Sequence, residues 1–195
     1  MNKMKEIILI GGGGHCKSVI DVIEQEGRFV IAGIVDKSEP LGKKILGYPV
    51  IGNDSDLESL AKKYTFANVT VGQIRLPNVR IKLFDLAKQA GFTLPKIISP
   101  RAYVSRHAVI GEGTVIMHDA LINSGVTIDS NCIINSKSLI EHDCKISKNC
   151  HISTNALING NVNIEEGCFI GSGAVTNNSI TIKKNSFIKA GSIVK

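Results

Sequence analysis

Glu141, His142 and Asp143 are consecutive, so one histidine of this chain stands between two carboxylates. A carboxylate beside an imidazole can hold one ring N–H, fix the tautomer and raise the basicity of the other nitrogen, as a general base requires. The other histidines of the C-terminal half are His107, His118 and His151. Their spacings contain no close pair, so a three-histidine zinc centre of the kind that hydrates carbon dioxide is not expected. His107 and His118 read as surface residues at turns. A second stretch with chemical potential is Gly11-Gly12-Gly13-Gly14-His15. A glycine turn between a strand and a helix offers backbone N–H groups and a helix dipole to a phosphate. Asp36 closes the following strand pattern, a place where an acidic residue commonly meets a ribose or base. Gly11 and Gly13 match the first two glycines of the dinucleotide fingerprint, but the third position is Cys16. The plainer reading is a tight turn with no ligand.

These residues need elements to hold them. An apolar run over 6–10 reads as a buried strand, and 16–26 as a helix whose stripe is Val19, Ile20, Val22 and Ile23. Residues 29–35 read as a second strand, which completes a β-α-β unit. Residues 47–52 read as a loop. A helix over 54–63 with Asp54 or Ser55 as N-cap, a strand over 67–71 and a helix over 79–90 capped by Gly91 follow. The region is too short for the full doubly wound domain of a nicotinamide oxidoreductase.

From Ile98 onward, every sixth residue to Val194 is Ile or Val, with one exception at Thr176. Four residues after each comes a smaller one, among them Ala102, Ala120, Cys132, Ser138, Cys144, Cys150, Ala156 and Cys168. A period of six cannot stay on one face of an α-helix. It is the signature of a β-helix, in which each coil buries its apolar column on the next. His142 lies two residues past an inward position, so it should stand near a coil corner and face outward.

Composition narrows the function classes. The net charge of +6 is shared by both halves, with no basic arm and no interleaving of basic and aromatic residues, which argues against nucleic-acid binding. No stretch approaches a membrane span. The opening apolar run covers only 7–10 and no cleavage pattern follows, so a signal peptide is not expected, and the expected compartment is the cytoplasm. Four of the five cysteines fall on the small inward register, without a C-x-x-C, and read as reduced filler.

The order of a strand, a Gly-Gly-His turn, a helix, a strand ending in Asp and then hexads carrying Asn135 and His142-Asp143 resembles the hexapeptide-repeat sugar O/N-acyltransferase family. Its members include bacillosamine-type UDP-4-amino-sugar N-acetyltransferases, perosamine N-acetyltransferases and sialic acid O-acetyltransferases. The resemblance implies an α/β Rossmann-like domain over residues 1–95 and an all-β left-handed parallel β-helix over 96–195, with roughly five coils of three hexads. It implies transfer of acetyl from acetyl-CoA to the amine of a nucleotide-linked sugar, with no metal. His142 would be the base and Asp143 its tuner, with Asn135 in the same pocket. His151 and Ser172 would lie toward acetyl-CoA. Gly13, Gly14, His15, Asp36 and Lys37 would hold the nucleotide-sugar. It also implies a homotrimer with sites between neighbouring β-helices. A sugar O-acetyltransferase and a non-catalytic β-helix scaffold stay open as alternatives. Two departures stand out. Gly72-Gln73 replaces an expected glycine followed by Asn or Asp. The sequence ends at Lys195 still in register, so an uncapped last coil is expected.

Overall fold

The computed structural model describes residues 4–195, so the first three residues of the opening segment lie outside it. The chain divides into two compact units. The first runs to Gly72 and resumes over Asn78–Pro95; the second is Lys96–Lys195 together with Gln73–Pro77. A break at residue 95 alone therefore misses one exchange: the Gln73–Pro77 loop belongs with the repeat.

The first unit is a five-stranded sheet with helices. Its strands are β1 (Lys5–Ile10), β2 (Phe29–Val35), β3 (Lys44–Ile45), β4 (Tyr48–Gly52) and β5 (Phe66–Val69), in the order β3-β4-β2-β1-β5. All neighbours are parallel except β3 and β4. Ile7 to Ile10 of β1 are fully buried, as expected of a central parallel strand covered on both faces. Helix α1 (Gly14–Glu26) buries Val19, Ile20, Val22 and Ile23 as the sequence predicts, and Gly27 ends it in a left-handed conformation. It begins inside the glycine turn, two residues before the predicted start.

The expected loop over 47–52 is a correction, because Tyr48–Gly52 pairs with β2 as a strand. A strand with a proline at its second position had hidden this. The cap of the next helical segment is also corrected. Asn53, not Asp54 or Ser55, accepts the Ser55 N–H, and Asp56 returns a bond to the Asn53 N–H, forming a capping box. The segment itself is a 3-10 turn over Asp54–Asp56 followed by α2 (Leu57–Ala61). In α3 (Asn78–Gln89) the surprise is Arg80, which is buried and donates to the carbonyls of Val69 and Val71 at the end of β5.

The second unit is a left-handed parallel β-helix with three sheets of two-residue strands, registered 18 residues apart, as Leu121 is with Leu139. The first strand residue points out and the second in. The first face carries Tyr103, Leu121, Leu139, Leu157, Val175 and Ile193 outward. The second carries Val109, Thr127, Lys145, Asn163 and Thr181, and the third Ile97, Val115, Ile133, His151, Phe169 and Phe187. The interior column from Ile116 to Ile170 is buried nearly completely, each isoleucine contributing roughly 1.5–3 kcal/mol. From Ile110 onward the corners turn through a left-handed residue three past each inward one, including Asp119, Asn131, Asp143, Asn149, Asn155 and Asn161. Asn, Asp and Gly predominate there because a β-carbon is costly in that conformation.

The cysteines form part of this interior. At one corner Thr114, Cys132, Cys150 and Cys168 stack, and each donates its O–H or S–H to a carbonyl fifteen residues on: Asp129, Ser147, Glu165 and Lys183. All five cysteines are free and buried. The thiols fill a corner too small for leucine and also satisfy carbonyls that point inward.

Candidate acyl-transfer and nucleotide sites

The sequence His142-Asp143 follows the inward Ile140 at the corner between the first and second faces. Asp143 occupies the left-handed corner position with φ 60, which turns its carboxylate back along the chain. His142 Nδ1 lies 2.9 Å from Asp143 Oδ2. An ionised carboxylate only accepts, so Nδ1 carries the hydrogen and Nε2 presents a lone pair. The imidazole side chain is 56% exposed, open to a substrate. Glu141 turns elsewhere: it accepts from Asn123 Nδ2 at 2.9 Å, one coil earlier.

Two glycines make room for the pair. A β-carbon on Gly160 would lie 2.8 Å from His142 Nε2, and one on Gly125 would lie 2.4 Å from Asp143 Oδ1. These residues are eighteen positions away in opposite directions, one coil on either side. No local reading of the sequence finds them, although the eighteen-residue stacking period would have.

A different corner, between the third and first faces, gathers another set. Asn135 Nδ2 lies 3.3 Å from His151 Nε2, and Asn135 Oδ1 accepts the Ser136 N–H. Ser153 and Ser172 share a 2.9 Å hydroxyl contact there. His151 is buried, with Phe169 edge-on to its ring. Its Nδ1 is 2.6 Å from the carbonyl of Gln73 in the loop that joined this unit. A carbonyl cannot donate, so this contact puts the hydrogen on Nδ1 and makes Nε2 the acceptor for Asn135. The loop is held further by Gln73 Nε2 to the Cys168 carbonyl and by Arg75 over Phe187. Sequence reading noticed Gln73 only as a departure and missed this contact. Within a single chain Asn135 and His142 lie on different edges of the prism, with the first face between them.

His118 and His107 have local partners, Ser99 Oγ at 2.7 Å from the first and Arg106 Nε at 3.1 Å from the second. Among the described residues, no group of three or more His, Cys, Asp or Glu is placed to hold a metal.

In the first unit, Gly13 is the N-cap of α1 and offers no side-chain cap. Nothing stands within 4 Å of a β-carbon placed on Gly13 or Gly14, so the helix start is open. A cavity of about 340 Å³ adjoins it, lined by Gly12, Gly14, Lys17, Lys43 and Lys44 among others. Asp36 is committed differently from expectation. Its carboxylate accepts the N–H groups of Gly12, Ser38 and Glu39, tying the glycine turn to the end of β2. Asp36 and Lys37 also line a smaller cavity of about 150 Å³ with Gly11, Val71 and Leu83. His15 is half-buried beside Gly72. Burial pushes the thiol of Cys16, the next residue, up to about 11.

Comparison with known proteins supports both halves. Residues 6–85 match the PglD N-terminal domain, and residues 107–142 match the bacterial transferase hexapeptide, six repeats. The acetyltransferase domain of PglB from Neisseria gonorrhoeae FA1090 superposes with a TM-score of 0.91 at 32% identity, covering 98% of this chain and 91% of that one. PerB from Caulobacter crescentus, solved with CoA and GDP-perosamine, gives 0.92 at 32% identity, covering 99% and 90%. A UDP-N-acetylbacillosamine N-acetyltransferase from Bacillus subtilis is 34% identical over 117 residues, 58% of this chain, and that match spans 52% of the relative's length. Both units thus have counterparts of the same architecture, and the chain belongs to the hexapeptide-repeat sugar acyltransferase family.

Proposed function

We propose that this protein transfers acetyl from acetyl-CoA to the amino group of a nucleotide-linked 4-amino-sugar, with His142 as general base. The observation that carries this reading is the His142–Asp143 pair: Asp143 engages Nδ1, so in the neutral ring Nε2 is the nitrogen left to accept a proton, on a side chain that is more than half exposed. The sugar amine attacks the thioester carbonyl. The nitrogen loses its proton to Nε2, and the tetrahedral intermediate expels the CoA thiolate, which recovers that proton from the imidazolium. The thioester is already activated, so no protein nucleophile is required.

The nucleoside diphosphate fits the open start of α1. Its phosphates would meet the Gly13 and Gly14 N–H groups and the Lys17 and Lys44 ammonium groups, with Asp36 and Lys37 shaping the adjoining cavity. The acceptors of similar proteins are UDP- and GDP-linked sugars; a UDP-4-amino-sugar is the first choice here. Asn135, His151 and Ser172 would take the acetyl-CoA side.

A homotrimer completes the site. The first face of the β-helix is apolar outward along its length, with Tyr103 60% and Ile193 70% exposed. Its two edges are the His142 corner and the Asn135 corner. A neighbour packed against this face would cover the stripe and bring His142 of one chain to Asn135 of the next. Such a heterologous contact closes into a ring at three copies.

The test is free-thiol release from acetyl-CoA with a UDP-4-amino-sugar, with sialic acid and with no acceptor. Amino-sugar-dependent release that falls about 10²–10⁴-fold in His142→Ala is expected. Mixing His142→Ala with Asn135→Ala chains under subunit exchange should restore part of the activity. Near-normal turnover by His142→Ala would refute the base, release with sialic acid alone would favour O-acetylation, and the absence of release in every arm would favour a scaffold.

A further inference from the structure

The inward column contains one polar residue, Thr176, and it stands two coils below Ile140, which leads into the His142 corner. Its side chain is fully buried. At the equivalent corners of the first face, the residue after the inward one donates its N–H to the carbonyl seventeen positions on. Asn123 donates to Ile140, Glu141 to Ile158, and Asn177 to Val194. Asn159 does not follow this pattern. It donates its N–H instead to the Thr176 hydroxyl oxygen at 2.9 Å, and its own Nδ2 donates to the Thr176 carbonyl at 2.6 Å. The strand register records the same change, since Leu157 pairs with Val175 while Ile158 and Thr176 drop out of the pairing.

This irregular bond lies next to Gly160, the residue on which the His142 ring rests. We propose that Thr176 is a positioning residue for the His142–Asp143 pair: by drawing the Asn159 N–H onto its hydroxyl, it sets the backbone at Asn159 and Gly160 that supports the imidazole. An isoleucine at 176, like those of the rest of the column, would return the Asn159 N–H to the Thr176 carbonyl and release the Asn159 side chain. The polar break is thus placed where ring position matters. This inference rests on the reading of His142 as the base.

Two variants separate hydroxyl from shape. Thr176→Val keeps the volume and removes the hydroxyl; Thr176→Ser keeps the hydroxyl and removes a methyl. In the thiol-release assay with the amino-sugar acceptor, Thr176→Val should lose about tenfold in kcat, because a sub-ångström shift of a base is costly, while KM changes less than about twofold. Thr176→Ser should keep most of kcat. Thermal unfolding of Thr176→Val should match or exceed the parent, since a backbone ladder bond replaces the side-chain bond. NMR of the imidazole in the free protein gives a readout independent of turnover: the His142 ring signals should move in Thr176→Val and stay in Thr176→Ser. Unchanged ring signals with unchanged kcat in Thr176→Val would overturn the proposal, as would equal losses in both variants. If His142→Ala turned over normally, the base reading would fail, while the ring signals would still decide whether Thr176 controls the imidazole.

Discussion

Gly160→Ala is the sharpest perturbation of the proposed base that leaves its chemistry in place. The new β-carbon would stand 2.8 Å from His142 Nε2 and 2.9 Å from Cε1. Ordinary contact needs about 3.5 Å, so the ring must retreat by roughly 0.6–0.7 Å. Gly160 has no left-handed backbone to strain, and the ring sits at the exposed end of a side chain that can swing. The stability cost should therefore stay within about 0.5–1.5 kcal/mol, that of an off-rotamer side chain. Activity is more sensitive, because misplacing a reacting group by about 1 Å can cost 10²-fold, so a loss of roughly 10–100-fold in kcat is expected. The assay is thiol release at saturating acetyl-CoA and UDP-4-amino-sugar, with thermal unfolding as the control. A fully folded Gly160→Ala protein with kcat within about twofold of the parent would refute the reasoning. Either the ring's seat on Gly160 would not matter, or His142 would not be the base.

Two further outcomes follow from the first unit and the interior. Lys17→Glu places a negative charge at the open start of α1, and it should raise KM for the nucleotide-sugar at least about tenfold while leaving KM for acetyl-CoA near its parent value, as initial-rate kinetics would show. Burial raises the Cys16 thiol from its usual 9.0 to about 11, with hydrogen bonding from Thr70 opposing the shift and the Asp36 charge adding to it. A raised thiol pKa means the unfolded chain loses its proton first. Stability from this group is therefore full below about pH 9 and declines as pH rises toward 11. Melting temperature measured from pH 8 to 11 should fall, and Cys16→Ala should flatten that decline. Burial likewise holds Cys144 upward, and the thiols of Cys150 and Cys168, stacked on one another at their corner, move in the same direction.

The repeat was legible because every coil solves the same packing problem, so its solution recurs in sequence. An inward isoleucine every six residues can serve only a coil that stacks on itself, and the burial of Ile122, Ile140 and Ile158 follows directly. The β-α-β start was legible for a similar reason: apolar run, glycine turn and apolar stripe are all local. What was not legible locally was Tyr48–Gly52, where a proline hid a strand whose partner is β2, and the burial of Arg80, whose carbonyl partners are Val69 at the end of β5 and Val71 just past it.

The sequence by itself determined that His142 has a carboxylate neighbour and faces outward at a corner. Adjacency and a six-residue period are properties of the chain alone. Only the tertiary structure decided which carboxylate holds the ring, because Asp143 takes the left-handed corner position while Glu141 is drawn to Asn123 a coil away. It alone set Gly125 and Gly160 against the pair, joined the Gln73 carbonyl to His151, and separated Asn135 from His142 onto different edges. Each of these depends on residues that meet across coils or at distant chain positions, and contacts of that range are written in the stacking of the fold, not in any single stretch of the chain.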